Sequence, residues 1–371
     1  MKQEFCKEFI SYCQTIRDFR QPVKKTYPLE EIIFLVFCAT LAECDGWDEM
    51  VFFGEENVEF LRQYLPYEHG IPSPSTMLRV ISTLSPEGFE KHFQSWFMQL
   101  NDSKHIAIDG KTIRGSKKNK KSAVHLIHAC DSKTGIALGY KKVNDKSNEI
   151  PSVPELIKDL DIQDRIITLD AMGCQRATCE TIINNGGDYV IGLKGNQGTL
   201  YSDIKLLFDE KEELIISSNT SIDKGHGRIE ERTVYATEEM GALLDQHKWP
   251  GLKTAIMCKY HRVDKKSQDE VLYFISSTAA NAEKLLDIIR SHWSVESTHW
   301  ILDVTFNEDK IAIAVDNAAE NLAFIRRATL NMIKLYQSTL DKKTSIKRIR
   351  KMCLMKTNTI SDILNSVIPD T

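Results

Sequence analysis

Three acids carry the chemistry this chain is equipped to do. Asp109 closes the stretch His105-Ile-Ala-Ile-Asp109, and Asp170 closes Arg165-Ile-Ile-Thr-Leu-Asp170. Both stretches are apolar and β-branched, so each reads as a strand that ends on a carboxylate. Glu296 lies in Ser291 to Phe306, where His292, Glu296, His299 and Asp303 are spaced 4, 3 and 4 apart. That spacing puts all four on one side of a helix. Val295, Ile301, Leu302, Trp293 and Trp300 supply apolar surface around this thin polar line. Taken alone, the helix reads equally well as the carrier of a structural His–carboxylate pair. The two strand-end aspartates weigh against that. Carboxylates converging on one crevice repel unless a cation neutralises them, and Glu296 on a helix across the crevice supplies a third. Three hard oxygen ligands suit Mg²⁺ or Mn²⁺ rather than zinc. Two such ions, about 3.5–4 Å apart, can activate a nucleophile and stabilise a leaving oxygen in phosphoryl transfer.

The elements that must position these acids follow from the hydrophobic pattern. Residues 1–103 read as all-helical. Leu29 to Cys44 is apolar nearly all round and forms the centre of that bundle. Asp48 to Leu65 follows as an amphipathic helix. Ser73 caps a further helix with Pro74 at its first position, and Pro86 to Leu100 gives another. Asn101 to Lys104 reads as a linker. Then strands are expected at His105–Asp109, Val124–Cys130 and Ile136–Val143, a helix at Pro151–Leu160 and a strand at Arg165–Asp170. A helix at Gln175–Asn185, a strand at Asp188–Lys194 and a helix at Asn196–Glu210 complete this run. Three meandering strands, then helix, strand, helix and strand, is the order of an RNase H-like domain.

Residues 211–280 break the alternation and read as a β-rich insertion, with strands at Arg232–Ala236, Leu252–Arg262 and Val271–Ser277. The helix carrying Glu296, roughly Asn281 to Trp300, comes next. The expected organisation is an α/β protein in three parts. These are a helical N-terminal domain (1–103), an RNase H-like core (104–320, insertion about 211–280) and a basic helical tail (321–371).

Composition sets outer bounds. Among 371 residues, 42% are hydrophobic and 27% charged, as in ordinary globular proteins. The apolar run Ile32 to Leu41 is too short to span a bilayer, and no secretory leader is visible. The nine cysteines form no CxxC pair, so neither a disulfide framework nor zinc is expected and a cytoplasmic setting is. Net charge is −4, yet residues 1–103 carry 9 Lys/Arg against 16 Asp/Glu. Residues 104–150 carry 11 against 4, and residues 326–371 carry 10 against 3. Two basic segments suit a polyanionic partner, although a solvated lysine-rich surface reads the same way.

Several long motifs resemble the DDE transposases of bacterial insertion sequences, in particular the H-repeat-associated group. They are Ile108-Asp-Gly-Lys-Thr-Ile-Arg-Gly115, Leu169-Asp-Ala-Met-Gly-Cys-Gln175, Tyr189-Val-Ile-Gly-Leu-Lys-Gly-Asn-Gln197, Gly225-His-Gly-Arg-Ile-Glu230, and His292-Trp-Ser-Val-Glu296 with His299-Trp-Ile-Leu-Asp-Val-Thr-Phe306. The resemblance implies Mg²⁺-dependent strand cleavage and strand transfer at element ends, with two ions (Mn²⁺ as a substitute) held by Asp109, Asp170 and Glu296. It also implies DNA partners, no membrane, and a homo-oligomer, a dimer, that synapses two ends. Wider relatives carry a Tyr–Arg–Glu–Lys signature around the glutamate. Here Ile289, His292 and Asp303 stand at the other three positions, and Arg290, His292 and His299 are the candidate substitutes. Lys111, Arg114 and Lys194, beside the strand ends, are candidates for phosphate contact, as are His226 and Arg228 in the insertion. Each reads also as an ordinary loop or turn residue. The alternatives to a transposase are a related metal-dependent nuclease and a catalytically idle DNA-binding relic.

Overall fold

The computed structural model describes residues 8, 11–13, 15–86, 88, 104–117, 122–143, 149–210, 212–225, 228–263, 267–310, 312, 313 and 315–366. Among them the chain forms α1 (Leu29–Leu41), α2 (Trp47–Glu56), α3 (Val58–Leu61) and α4 (Pro74–Thr83). Then come β1 (His105–Ile113), β2 (Val124–Asp131), β3 (Ala137–Val143), α5 (Glu149–Lys158), β4 (Ile166–Leu169), α6 (Arg176–Asn184), β5 (Asp188–Leu193) and α7 (Gly198–Glu210). The next run is β6 (Ser217–Gly225), β7 (Arg228–Thr237), α8 (Ala242–His247), β8 (Thr254–Val263) and β9 (Ser267–Ser276). Helices α9 (Ala282–His292), α10 (Ser294–Val304), α11 (Ala318–Ser338), α12 (Ile346–Met355) and α13 (Thr357–Ser366) close the chain. Two compact units result: Met1–Asn101, Lys111–Leu126 and Thr298–Thr371 form one; Asp102–Gly110 and Ile127–Ser297 form the other.

The second unit is built on a nine-stranded sheet of order β3-β2-β1-β4-β5-β9-β8-β7-β6. β1, β4 and β5 run parallel, and β9 joins β5 antiparallel, so β9 to β6 extend the same sheet as an antiparallel meander. The segment 211–280 therefore holds four strands, not three. The missed one, β6, is an edge strand of sequence SSNTSIDKG, too polar to announce itself by alternation. Helix α9 has Asn281 as its N-cap, accepting from the Lys284 N–H at 3.0 Å. Its apolar face, Ala282, Leu285, Leu286 and Ile289, packs on Val190, Val234, Ala236, Ile256 and Cys258 of the sheet. The single helix expected from Asn281 to Trp300 is broken at Trp293, which caps α9 before α10 begins.

The first unit is helical around two buried rods. Residues Leu29 to Leu41 of α1 are almost all buried, as the all-round apolar pattern dictates. In α11, every residue from Ala318 to Ile333 is buried. Ser73 caps α4 by accepting from the Thr76 N–H, with Pro74 first in the helix. The helix expected over Asp48–Leu65 is interrupted at Asn57, which separates α2 from α3. The helix expected over Pro86–Leu100, apart from Pro86 and Gly88, and the linker at 101–103 lie outside the described residues.

The basic C-terminal segment corrects a sequence expectation. Arg326, Arg327 and Arg350 are buried, not presented to a polyanion. Arg327 donates to Glu308 Oε1 at 2.8 Å and to the Ala323 carbonyl at 2.9 Å. Arg350 donates to Asp45 Oδ1 and to the Thr40 carbonyl, both at 2.7 Å, and lies 4.1 Å from the Phe306 ring centre. Charge counts cannot separate such internal arginines from surface ones. Lys347, Arg348 and Lys351 are exposed.

Candidate functional site

The strand register places the first two acids. Ala107 on β1 stands opposite Thr168 on β4. Two residues on, along parallel strands, Asp109 and Asp170 come level: Asp170 lies just past the end of β4, whereas β1 does not end on Asp109 as expected but runs on to Ile113. On the other side of β4, Leu169 pairs with Ile191, so Gly192 comes level with Asp170. A Cβ on Gly192 would meet the Ala171 nitrogen at 3.1 Å; glycine lets the turn that carries Asp170 sit against β5.

That turn is braced from within and from β5. The N–H groups of Met172 and Gly173 donate to Asp170 Oδ1 at 3.0 and 3.1 Å. Past the end of β5, Asn196 donates to the Ala171 carbonyl and Gln197 to the Cys174 carbonyl, each at 2.7 Å. The Lys-Gly-Asn-Gln motif thus fixes the loop behind Asp170, while Lys194 itself is exposed and lines the cavity.

Glu296 is placed by its neighbour. Val295 is fully buried against Ala107 of β1 and Cys130 of β2, a burial worth roughly 1.5–3 kcal/mol. One residue on, Glu296 is turned to the exposed side of α10. Asp109, Asp170 and Glu296 line one cavity of about 520 Å³. Lys194, His292, Arg232, Tyr260, Trp293, Tyr201 and Tyr273 also line it. A smaller recess beside it is lined by Asp109, Asp170 and Glu149.

The electrostatics follow from this crowding. Burial, then the charges of Asp170, Glu296 and Glu149, push the Asp109 carboxyl up to about 6, against one N–H bond from Gly110 that works the other way. His292 and His105 are both pushed down to about 4 by burial, so both are neutral at pH 7. Each ring bonds Thr168 Oγ1: His105 through Nε2 and His292 through Nδ1, both at 2.9 Å. On the cavity's far wall, the Arg232 guanidinium lies 5.0 Å from the ring centres of both Tyr260 and Trp293. It is held by Glu230 at 2.6 Å and Asp223 at 3.2 Å.

The other sequence candidates disperse. Arg290 is exposed and ion-paired with Asp223 at 2.7 Å. Lys111 is buried in the helical unit, where its ammonium bonds Asp303 and lies 3.5 Å from Glu308; its charge is spent internally, not offered to a phosphate. Asp303 is the partner of that lysine. His299 is buried in the same unit and pushed down to about 3 by burial and by Arg327 and Lys111. Arg114 is exposed, with its N–H bonded to Asp309 at 2.9 Å. His226 and the side chain of Arg228 lie outside the described residues. Sequence reading missed Thr168, His105, Arg232, Tyr260 and Glu149. Only Thr168, two residues before Asp170 on a buried strand, carried a signal that could have found it.

Among the described residues no group of three or more His, Cys, Asp or Glu side chains stands ready to hold a metal ion. The donor set of the cavity is nonetheless all carboxylate oxygen, and its mutual repulsion, felt at Asp109, is what a hard cation relieves. Among the described residues no helix is long and apolar enough to cross a membrane.

Comparison with known proteins now adds identity. Residues 100–332 match the family model described as Transposase DDE domain, and residues 10–97 match its companion, DDE_Tnp_1-associated. The putative transposase YncI of Escherichia coli O157:H7 is 37% identical, over 97% of this chain and 95% of that protein. The H repeat-associated putative transposase YhhI of Escherichia coli K12 is 37% identical, over 96% of this chain and 98% of that protein. A solved piggyBac transposase synaptic complex with hairpin DNA aligns with 98% of this chain and 77% of its own, at TM-score 0.44 and 12% identity, a likeness too loose to carry an argument. With a Transposase DDE domain covering most of its length and H repeat-associated relatives along nearly all of it, this chain belongs to the DDE transposase family.

Proposed function

We propose that the chain is a DNA transposase that cuts insertion-sequence ends and joins them to target DNA, with Asp109, Asp170 and Glu296 as its catalytic carboxylates. The observation that carries this reading is that these three acids, from β1, the β4 turn and α10, line one cavity. The strand order β3-β2-β1-β4-β5 with parallel β1, β4 and β5 supports an RNase H-like core within 104–320. The antiparallel meander is then its insertion, with 1–103 and 321–371 as the flanking helical parts.

In the first step a water attacks a phosphodiester at the element end, the P–O3′ bond breaks, and the 3′-oxygen leaves as a hydroxyl. In the second that hydroxyl attacks a phosphodiester of target DNA, and one target strand end is released. Asp109, Asp170 and Glu296 would hold two Mg²⁺ ions, with Mn²⁺ as a substitute; bound there, such ions would supply Lewis acidity and a more acidic water. The chain's own part is positioning. The amides of Met172 and Gly173 fix one Asp170 oxygen, Val295 fixes the approach of Glu296, and burial among the other acids raises the Asp109 carboxyl to about 6, a repulsion that a bound cation would relieve. Lys194 at the cavity edge supports a backbone phosphate without reading sequence; the exposed Arg114 is a separate candidate for such a contact. A homodimer in the cytoplasm completes the proposal.

The test is a labelled duplex carrying the DNA ends that flank this gene, incubated with Mg²⁺, Mn²⁺ or chelator. Boundary nicking followed by joining to a second duplex supports a transposase. Nicking without joining points to a nuclease. Tight binding with no cleavage under any metal makes the protein an idle relic, a real alternative given that a partial relative, YbfQ, is called an inactive transposase.

A further inference from the structure

Three side chains beneath the acid cavity form a continuous hydrogen-bonded chain. His105 Nε2, Thr168 Oγ1 and His292 Nδ1 are linked by two contacts of 2.9 Å. They come from three separate elements, β1, β4 and α9. Thr168 stands two residues before Asp170, and His292 lines the same cavity as Asp109, Asp170 and Glu296.

A threonine hydroxyl has one hydrogen to give and lone pairs to receive with. It can donate to only one of its two histidine neighbours, so the other ring must donate to it. Either one ring donates and the other accepts, or both rings donate to its two lone pairs; at His292 these arrangements leave only two states. In one, His292 Nδ1–H donates to Thr168 and the ring's far nitrogen, Nε2, carries a lone pair. In the other, His105 Nε2–H donates to Thr168, Thr168 O–H donates to His292 Nδ1, and His292 Nε2 carries the hydrogen. The cavity decides between them. Its carboxylates make the potential negative, and Asp170 acts directly on the His292 ring. A donor edge toward such a wall is favoured and a lone pair is disfavoured.

We infer that the chain is polarised from His105 through Thr168 to His292, so that His292 presents a fixed Nε2–H as a neutral hydrogen-bond donor to a phosphodiester oxygen in the cavity. His292 stands where wider relatives place an arginine. In place of a full cation it offers one donor whose direction is set by Thr168, with His105 as the positioning residue behind it. Both rings are neutral in this environment, so the donor is a tautomer and not an imidazolium. The role of that donor rests on the proposed DNA-cleaving function; the polarity of the chain does not, and the two are tested apart.

The polarity is read by nitrogen-15 NMR of the full chain with labelled histidine, His292 being assigned by comparison with His292→Gln. The expected signal is a protonated Nε2 and an unprotonated Nδ1 for His292. Thr168→Val should lose that bias and populate both tautomers, while Thr168→Ser should keep it. A protonated Nδ1 in the unaltered protein, or a Thr168→Val spectrum unchanged at His292, overturns the inference whether or not the protein cuts DNA. The donor's function is read by nicking of element ends. His292→Asn retains an amide near the Nδ1 position only, and should slow nicking about tenfold. His292→Gln carries an N–H near the Nε2 position and should recover most of that loss. Equal loss in both overturns the donor role.

Discussion

The two units treat charge in opposite ways. In the helical unit three buried cations are matched, Arg327 with Glu308, Arg350 with Asp45 and Lys111 with Asp303, while buried Arg326 keeps one guanidinium nitrogen unbonded among the described residues. In the sheet unit Arg232 is paired too, with Glu230 and Asp223, but at the cavity like charges are drawn together, and burial and three other acids push the Asp109 carboxyl up to about 6. Buried opposite charges close a structure. Converging like charges cost stability and persist where a cation is to be bound. On the proposed function, the helical unit spends its charge on its own fold and the cavity acids keep theirs for a cation.

The comparison breaks most visibly at the acids. Asp109→Ala, Asp170→Ala and Glu296→Ala should each slow nicking of element ends on the order of 10³-fold or more, with circular dichroism and duplex affinity little changed. In the helical unit, Arg350→Met should instead lower unfolding free energy by about 3–5 kcal/mol in urea titration, because Asp45 is left buried and unmatched. Its nicking rate per folded molecule should be unaltered.

Between these extremes lies geometry. Gly192→Ala forces the Asp170 turn to give by a few tenths of an ångström. Nicking should fall about tenfold with a melting temperature nearly unchanged. If activity is untouched, the close approach of β5 to that turn does not position the acid.

The smallest effect is on stability against pH. The Asp109 carboxyl is raised from 3.8 to about 6. The folded state therefore holds a proton that the unfolded chain has lost, and metal-free stability should fall as pH rises from about 4 to 6, by about 1–3 kcal/mol. Asp109→Asn should flatten that slope.

Much of this was legible in the sequence, and for physical reasons. Short apolar runs leading to Asp109 and Asp170 read as buried strands and are strands, although β1 runs on past Asp109 to Ile113, and the run from His105 to Glu210 alternates as the structure does. The strand pattern failed at Ser217–Gly225, a polar edge with no buried face to enforce alternation. The spacing of His292, Glu296, His299 and Asp303 suggested one line on one helix. The break at Trp293 ended α9 at His292, and Asp303 turned out to be the partner of Lys111. Positive charge counted along the C-terminal segment said nothing about which arginines are internal, because Arg327 and Arg350 are buried against acids, Glu308 and Asp45, that lie outside that segment. The Thr168 link between two histidines was illegible, since its members lie on separate elements and meet only through register.

The most direct measurement is Mn²⁺ binding, followed by electron paramagnetic resonance, to the full chain in complex with an element-end duplex. Saturable Mn²⁺ binding that is lost in Asp170→Asn and Glu296→Gln, while the duplex stays bound, is the predicted result. Mn²⁺ binding of equal strength in both variants and the unaltered protein would contradict it, and would mean that the gathered carboxylates serve something other than a cation.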